Sequence, residues 1–531
     1  MSCDFVFVHV PKRSNYYKPT DDFMFINYIP MGVFALCDRL VRHGIASCIK
    51  HLGLETILDD SFSIVEWVRA TRPRIVGMSL HWHYQSFDVI DVARKLKSAC
   101  PEVKILLGGF TATRFAREIL EEFPDVDAII AGDAEASVVP FARSVLDGNA
   151  DYHDVPNCIW RAGDTIVDND ISYTARAEDL DSLEYANLSL LDHHEEYRDY
   201  FRLPMFWSNY ESVSENLRRR TVAEKIFPLA IGRGCRVNCT FCGGSARAHL
   251  RLFNRKEPVL RSPTAVVASM EKALGYGYTG FLACFDPDPT DDTYALRLMT
   301  ELRRRNLQCG LGFESWGLPS RRFIDAFAET FVLERSYIAI SAESGSEAIR
   351  RSNKGIFFSN QEMYATLEHM AEARVPGLVY LTMGLPGETR EHLQETARFA
   401  KSLKRRFRST LEDVFCLPIQ LEPTSALFEE PSVHGVHAAR ASFLDFYRSH
   451  GQTNTGPFTH AAYCTESLSE DFDEFDAILQ RERCRHFCPA APKLPGNVEL
   501  ISLGRLACRA GHLRWKRRGH GAPATERKTF T

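Results

Sequence analysis

The sequence predicts an α/β protein: a doubly wound parallel sheet, then a partial (β/α)6 barrel, then a small, mainly helical cap. Three observations predict it. Between Phe5 and about Gly148, short apolar runs alternate with amphipathic stretches at the spacing of strand–helix units. From Phe227 to about Gln420 six more such units follow, with polar residues at the carboxyl end of each strand, where an α/β barrel carries its site. At the end of the first barrel strand, Gly234-Cys235-Arg236-Val237-Asn238-Cys239-Thr240-Phe241-Cys242-Gly243-Gly244 sets three cysteines in CxxxCxxC spacing.

Composition narrows the function classes. The 531 residues are 45% hydrophobic and 25% charged, enough chain for two to four domains. A net charge of -5 supplies no global basic field for nucleic acid. Fifteen scattered cysteines, with no signal peptide at Met1-Ser2-Cys3-Asp4, favour a reducing cytoplasm and metal-binding thiols over a disulfide framework. No apolar run approaches the roughly 18–20 residues of a membrane helix.

The first region, residues 1–150, reads element by element. Phe5 to Val10 is a buried strand, and Met31 to His43 a helix stopped near Gly44. Ser61–Ala70 is a helix, Arg74–Leu80 a strand, Phe87–Ala99 a helix, and Lys104–Leu107 a strand running into Gly108-Gly109. Helix Phe115–Phe123, strand Ala128–Ala131 into Gly132, and helix Val138–Leu146 complete it. Ligands of such sheets bind beyond the strands' carboxyl ends, here Ser79 to Gln85, Gly108 to Thr113 and Gly132 to Glu135.

Residues 151–225 read as a linker that opens on a small hairpin, Asn157–Trp160 and Gly163–Val167. The barrel region, 226–432, starts with strand Phe227–Ile231, which delivers the cysteine loop. Ser262-Pro263 then opens a helix, serine as N-cap and proline in the first turn. Strands follow at Gly280–Phe285, Cys309–Phe313, Ser336–Ser341, near Tyr380–Met383 and near Val414–Gln420, with helices Tyr294–Arg304 and Arg321–Ala328 between.

Iron–sulfur cubanes are normally held by four thiolates. Three on so tight a loop would hold one with an iron left open to a small molecule, and flanking glycines let the backbone wrap it. The competing reading is a zinc site, which needs a fourth ligand, or three unrelated thiols; His249 is the only nearby candidate for that ligand. At these residues the sequence resembles the radical S-adenosylmethionine (SAM) superfamily. Three later phrases are similar to that family's subgroup with an N-terminal cobalamin (B12)-binding-type domain. They are Glu343-Ser344-Gly345-Ser346 with Asn353-Lys354-Gly355, Gly384-Leu385-Pro386-Gly387-Glu388-Thr389, and Pro423-Thr424-Ser425-Ala426-Leu427-Phe428. Leu107–Thr113 and Gly132-Asp133-Ala134-Glu135 resemble the subgroup's cobalamin-binding domain, although the Asp-x-His-x-x-Gly motif that supplies a cobalt-ligating histidine elsewhere is absent. The resemblance spans roughly residues 5–430.

The resemblance implies roles. Cys235, Cys239 and Cys242 would hold a [4Fe-4S] cluster whose open iron chelates SAM, and the reduced cluster would cleave SAM to a 5′-deoxyadenosyl radical. Phe241, Gly243, Gly244, Gly384 and Leu385 would line SAM. Glu343 or Ser344 would bind its ribose or amino group, with a helix-capping role as the alternative for Ser344. Ser79, Gly108, Gly109 and Gly132 would face cobalamin; His81 and His83 would face corrin or substrate, or simply cap the sheet. The acidic turn Asp286–Asp292 is a candidate for a cationic or hydroxylated substrate, with helix capping by Asp291 or Asp292 as the alternative.

The resemblance does not reach residues 433–500, the cap, or the basic tail 501–531, expected to be disordered. Cys464, Cys484 and Cys488 are either ligands of a second cluster or free thiols. The expected activity is cobalamin-dependent methylation of a small molecule or natural-product intermediate, served by an electron donor such as flavodoxin or ferredoxin. The alternative keeps the first domain as scaffold only, with methyl-free dehydration, epimerisation or cyclisation.

Overall fold

A computed structural model describes residues 3–12, 28–200, 225–419, 421–437, 440–452 and 464–465. Cys484 and Cys488 lie outside them. Among the described residues no helix is long and apolar enough to cross a membrane.

The first sheet has seven strands: β1 Phe5–His9, β2 Ser47–His51, β3 Ile75–Ser79, β4 Lys104–Gly108, β5 Ala128–Ile130, β6 Cys158–Ala162 and β7 Thr165–Asp168. Their order is β2-β1-β3-β4-β5-β6-β7. The first five are parallel, and Phe5, Val6, Ile75, Val76, Ile105, Ala128 and Ile129 in their centre are fully buried. Two parts of this sheet escape an apolar-run reading. β2 is a polar edge strand whose buried Lys50 is satisfied by Glu55 and Asp192, each at 2.8 Å. The hairpin β6–β7 adds antiparallel to β5, with Ala128 opposite Trp160, so the sheet continues past residue 150 to Asp168. The expected helix over Phe115–Phe123 is also longer. It starts at Phe110, right after Gly109, and breaks at Phe115 into Phe110–Arg114 and Ala116–Glu122.

The second sheet contains β8 Ile226–Pro228, β11 Gly280–Ala283, β12 Gly310–Ser315, β13 Tyr337–Glu343, β14 Gly377–Met383 and β15 Leu411–Pro418. All are parallel and stand in chain order, β8 at one edge and β15 at the other, as a six-unit partial barrel requires. Two-residue strands β9 Gly232–Arg233 and β10 Val259–Leu260 pair beside the mouth. Alternation separates the faces. Phe313 points outward to Phe323 of helix Arg321–Thr330, ring centroids 5.0 Å apart, which turns its neighbours Gly312 and Glu314 into the lumen. Ser262 caps helix Pro263–Gly275 as its sequence foretold, accepting from the Ala265 N–H at 3.2 Å.

The C-terminal helix Phe443–Gln452 lies on the first domain. Tyr447 stacks on Phe87 at 5.3 Å and meets Phe123 at 4.9 Å. Arg114 after β4 reaches Glu429 after β15 at 2.8 Å, so the carboxyl ends of the two sheets are held mouth to mouth.

Candidate active site

The cysteine loop is pinned on all sides by backbone. Thr240 N–H donates to the Asn353 carbonyl at 2.9 Å, Ala246 N–H to Val237 at 2.9 Å, and Leu427 N–H to Thr240 at 3.2 Å. Gly234 has φ +98°, and a Cβ there would meet Pro258 Cα at 2.9 Å, so only glycine makes this entrance turn. Cys235, Cys239 and Cys242 are all free of disulfides. Each sulfur receives a backbone N–H: Val237 to Cys235 at 3.3 Å, Gly355 to Cys239 at 3.4 Å, and Gly244 to Cys242 at 3.4 Å. Burial pushes all three thiols up, Cys242 to about 12 with Cys239 adding to it, so these sulfurs become thiolates when a metal displaces their protons.

Among the described residues no three His, Cys, Asp or Glu side chains converge closely enough for one ion. A zinc site requires that convergence. A cubane does not, because each thiolate binds its own iron. His249, the candidate fourth zinc ligand, is turned into packing with Phe110 and Phe253, at 5.3 and 5.2 Å. The triad fits a cluster.

Gly355 touches the loop so closely that a Cβ would lie against the Asn238 nitrogen and Val237. Gly355→Ala is expected to cost about 1–3 kcal/mol through overpacking and to lower the iron retained after reconstitution, read by metal analysis. Beside it, Glu343 ends β13 at φ 62°, an uncommon backbone for glutamate. One oxygen meets Lys354 Nζ at 3.1 Å and the other accepts from Thr382 Oγ1 at 2.8 Å. Ser344 is different. It is fully buried, its hydroxyl shared with Thr396 Oγ1 at 3.0 Å and accepting from Ser346 N–H at 3.1 Å. The N-cap of helix Glu347–Asn353 is Ser346, so Ser344 braces the turn before that helix and does not cap it.

Gly243 packs under the end of the sixth strand, where a Cβ would meet Thr424 Oγ1 at 2.7 Å and Glu422 Cβ at 2.9 Å. Phe241 and Gly244 are half-buried beside it. Gly384, φ +89°, donates its N–H to Glu388 at 2.6 Å, and Leu385 is buried. Glu388 closes this turn. It is fully buried with Oε1 unpartnered, and burial raises it to about 7 against the opposing Gly384 and Leu385 N–H groups. A carboxyl raised in the folded state loses stability as pH climbs from its unfolded value through its folded one. Glu388→Gln keeps an acceptor for Gly384, so its stability relative to wild type should rise between about pH 5 and pH 8, checked by denaturant titration across that range.

The acidic turn is mostly spent on structure. Asp288 pairs with Arg236 Nη1 at 3.1 Å, Asp291 accepts from Thr293 N–H at 3.0 Å, and Asp292 accepts from Ser320 N–H at 3.3 Å. Asp286 accepts from Trp316 N–H at 2.8 Å, and burial raises it to about 6.

In the first sheet, Ser79 and Gly108 are register partners on β3 and β4, and with Gly109 they form a half-exposed backbone ledge. Gly109 has φ +105°, and a Cβ would meet the His81 backbone at 3.0 Å. These three residues can let a flat cofactor approach the chain closely. Gly132 is half-exposed as well, with Phe253 3.1 Å from where its Cβ would be and edge-on to Phe110 at 4.7 Å. His83 is buried, its Nδ1 3.1 Å from His450 Nε2, and His81 packs edge-on to Trp82 and Phe110. The rest of the Gly132-Asp133-Ala134-Glu135 phrase ties the domains together. Asp133 pairs with Arg233 at 2.7 Å and with Arg255, and Glu135 pairs with Arg233. Sequence reasoning missed both arginines; Arg233, two residues before Cys235, was the available signal.

Comparison with known proteins agrees with this geometry. Residues 229–400 match the radical SAM superfamily and residues 27–141 the B12 binding domain. The anaerobic magnesium-protoporphyrin IX monomethyl ester cyclase of Cereibacter sphaeroides is 25% identical over 380 residues, 70% of this chain and 56% of that protein. The hopanoid C-3 methylase of Methylococcus capsulatus is 26% identical over 142 residues, 27% of each chain. This chain thus spans less than two thirds of these curated relatives. Among solved structures, the radical SAM methyltransferase TsrM of Kitasatospora setae, with cobalamin and a [4Fe-4S] cluster bound, superposes with TM-score 0.65. It is 14% identical, over 97% of this chain and 99% of that one, a likeness of fold. With its thiol triad, six-unit barrel and N-terminal parallel sheet, the chain belongs to the radical SAM superfamily, in the group with a B12 binding domain ahead of the barrel.

Proposed function

We propose that this enzyme methylates a small-molecule or natural-product intermediate, using a [4Fe-4S] cluster, SAM and cobalamin. One observation carries it: three half-buried thiols, each met by a backbone N–H, stand at a barrel mouth, and Arg114, past the half-exposed ledge Ser79-Gly108-Gly109, pairs with Glu429 past the last barrel strand. When bound, the cluster and SAM supply a radical that removes a substrate hydrogen, and cobalamin supplies the methyl group.

The chain's own residues do the rest. Cys235, Cys239 and Cys242 give up their protons to bind iron. Phe241, Gly243 and Gly244 leave room beside the cluster, while Lys354 holds Glu343 for the cationic end of SAM. The Gly384–Glu388 turn is closed by its own hydrogen bond and offers backbone to an adenosine. A one-electron donor such as flavodoxin or ferredoxin is the partner this chemistry requires.

Phe253 against Gly132 favours a second reading, in which the first sheet is scaffold and the radical chemistry is methyl-free. Anaerobic reconstitution with iron, sulfide and hydroxocobalamin, then desalting and metal counting, separates the two. Roughly four irons per chain with cobalt near one supports methylation. The same iron with no cobalt overturns it in favour of the scaffold reading.

A further inference from the structure

The lumen below the cysteine loop holds groups that none of these roles uses. Strand alternation puts Leu282 and the position after β11, Cys284, on the lumen face, with Gly312 and Glu314 of β12, Tyr337 of β13 and Tyr380 of β14. Contacts agree. A Cβ on Gly312 would meet Tyr337 Oη at 2.7 Å and Leu282 Cδ1 at 2.9 Å, so the Tyr337 ring lies across the glycine. The charges of Cys284, Glu314 and Tyr337 act on Tyr380, which places all four around one space. Tyr380 in turn stacks on Phe415 of β15 at 5.9 Å.

Two polar groups in this space make no side-chain hydrogen bond to protein among the described residues. Tyr337 is only 8% exposed, and its hydroxyl has no hydrogen-bond partner among the described residues. Glu314 is half-buried, with neither a hydrogen bond nor an ion pair from its carboxylate among the described residues. Burial raises it to about 7, and among the described residues it has no lysine or arginine ion pair. A half-buried carboxylate without a protein cation among the described residues, close enough to Tyr337 and Tyr380 to act on both, has the chemistry of an ammonium site: the charge meets the carboxylate and the ring faces.

We propose that Glu314, Tyr337 and Tyr380 form the substrate subsite of the lumen and bind a protonated amine on the substrate. This rests on the radical SAM reading for the word substrate, and its test does not require turnover. SAM carries cationic groups of its own, so the test must separate the two sources.

Benzylamine, benzyl alcohol and benzoate are matched probes of one shape and three charges. Ligand-observed NMR titration of the reconstituted holoenzyme, with and without SAM, gives their affinities. Benzylamine should bind about tenfold more tightly than benzyl alcohol, benzoate least, and saturating SAM should leave that order intact. Glu314→Gln should erase the preference and Glu314→Asp should retain part of it, both with wild-type circular dichroism melts. Equal binding of amine and alcohol to wild type overturns the proposal, as does a preference that survives in Glu314→Gln. Displacement of benzylamine by SAM assigns the site to SAM's own cation and also overturns it. Deoxyadenosine formation is measured separately, so this subsite and the radical reading can each fail without the other.

Discussion

Replacing Cys239 with alanine should leave a folded protein that holds little iron and forms no 5′-deoxyadenosine. Cys239 is the middle ligand and receives the Gly355 N–H at 3.4 Å, so its sulfur is the point where the cysteine loop and the loop after Asn353 meet. Removing it leaves Cys235 and Cys242, two thiolates for a cluster that needs three from this loop. The fold should survive, because no disulfide is lost and the loop's backbone bonds to Asn353 and Leu427 do not involve the sulfur. Anaerobic reconstitution should give an iron content far below the roughly four per chain of wild type. Incubation with SAM and dithionite should give deoxyadenosine at background by chromatography. Full deoxyadenosine formation by this variant would end the radical SAM reading of the site.

The largest expected loss of stability comes from Asp133→Asn. Asp133 is buried between Arg233 and Arg255, and Arg255 is itself 5% exposed. Neutralising the carboxylate leaves Arg255 with no ion pair, only the Ala175 carbonyl, and Arg233 with Glu135 alone, and breaking a buried pair in this way costs about 3–5 kcal/mol. The midpoint of urea unfolding should fall accordingly. Because Arg233 sits two residues ahead of Cys235, iron retention should fall with it. The pH dependence has a fixed sign. Burial works to raise the Asp133 carboxyl, the two arginines outweigh it, and the net shift is downward. A depressed carboxylate contributes its stability above the ordinary aspartate value and loses it as pH falls further, so the gap between variant and wild type should be complete above about pH 4 and close below it. A variant as stable as wild type at pH 7 would show that Arg233 and Arg255 find other partners.

What the residues alone determined is local in origin. The succession of most strands and helices along the chain and the Ser262 cap follow from periodicity and capping chemistry, and the candidate ligand triad from cysteine spacing, each contained in a short window of chain. The polar edge strand β2 was missed for the same reason, since its burial is supplied by Glu55 and Asp192 and not by apolar neighbours in sequence. Only the tertiary structure decided how distant groups share space. It turned Asp133 and Glu135 from cofactor candidates into a clamp on Arg233 and Arg255, and it spent the Ser344 hydroxyl on Thr396. It set Phe253 against Gly132, and it gathered Glu314 and Tyr337 in one lumen. A carboxylate's role depends on which charges and donors the fold brings within a few ångströms, and no local pattern in the sequence carries that distance.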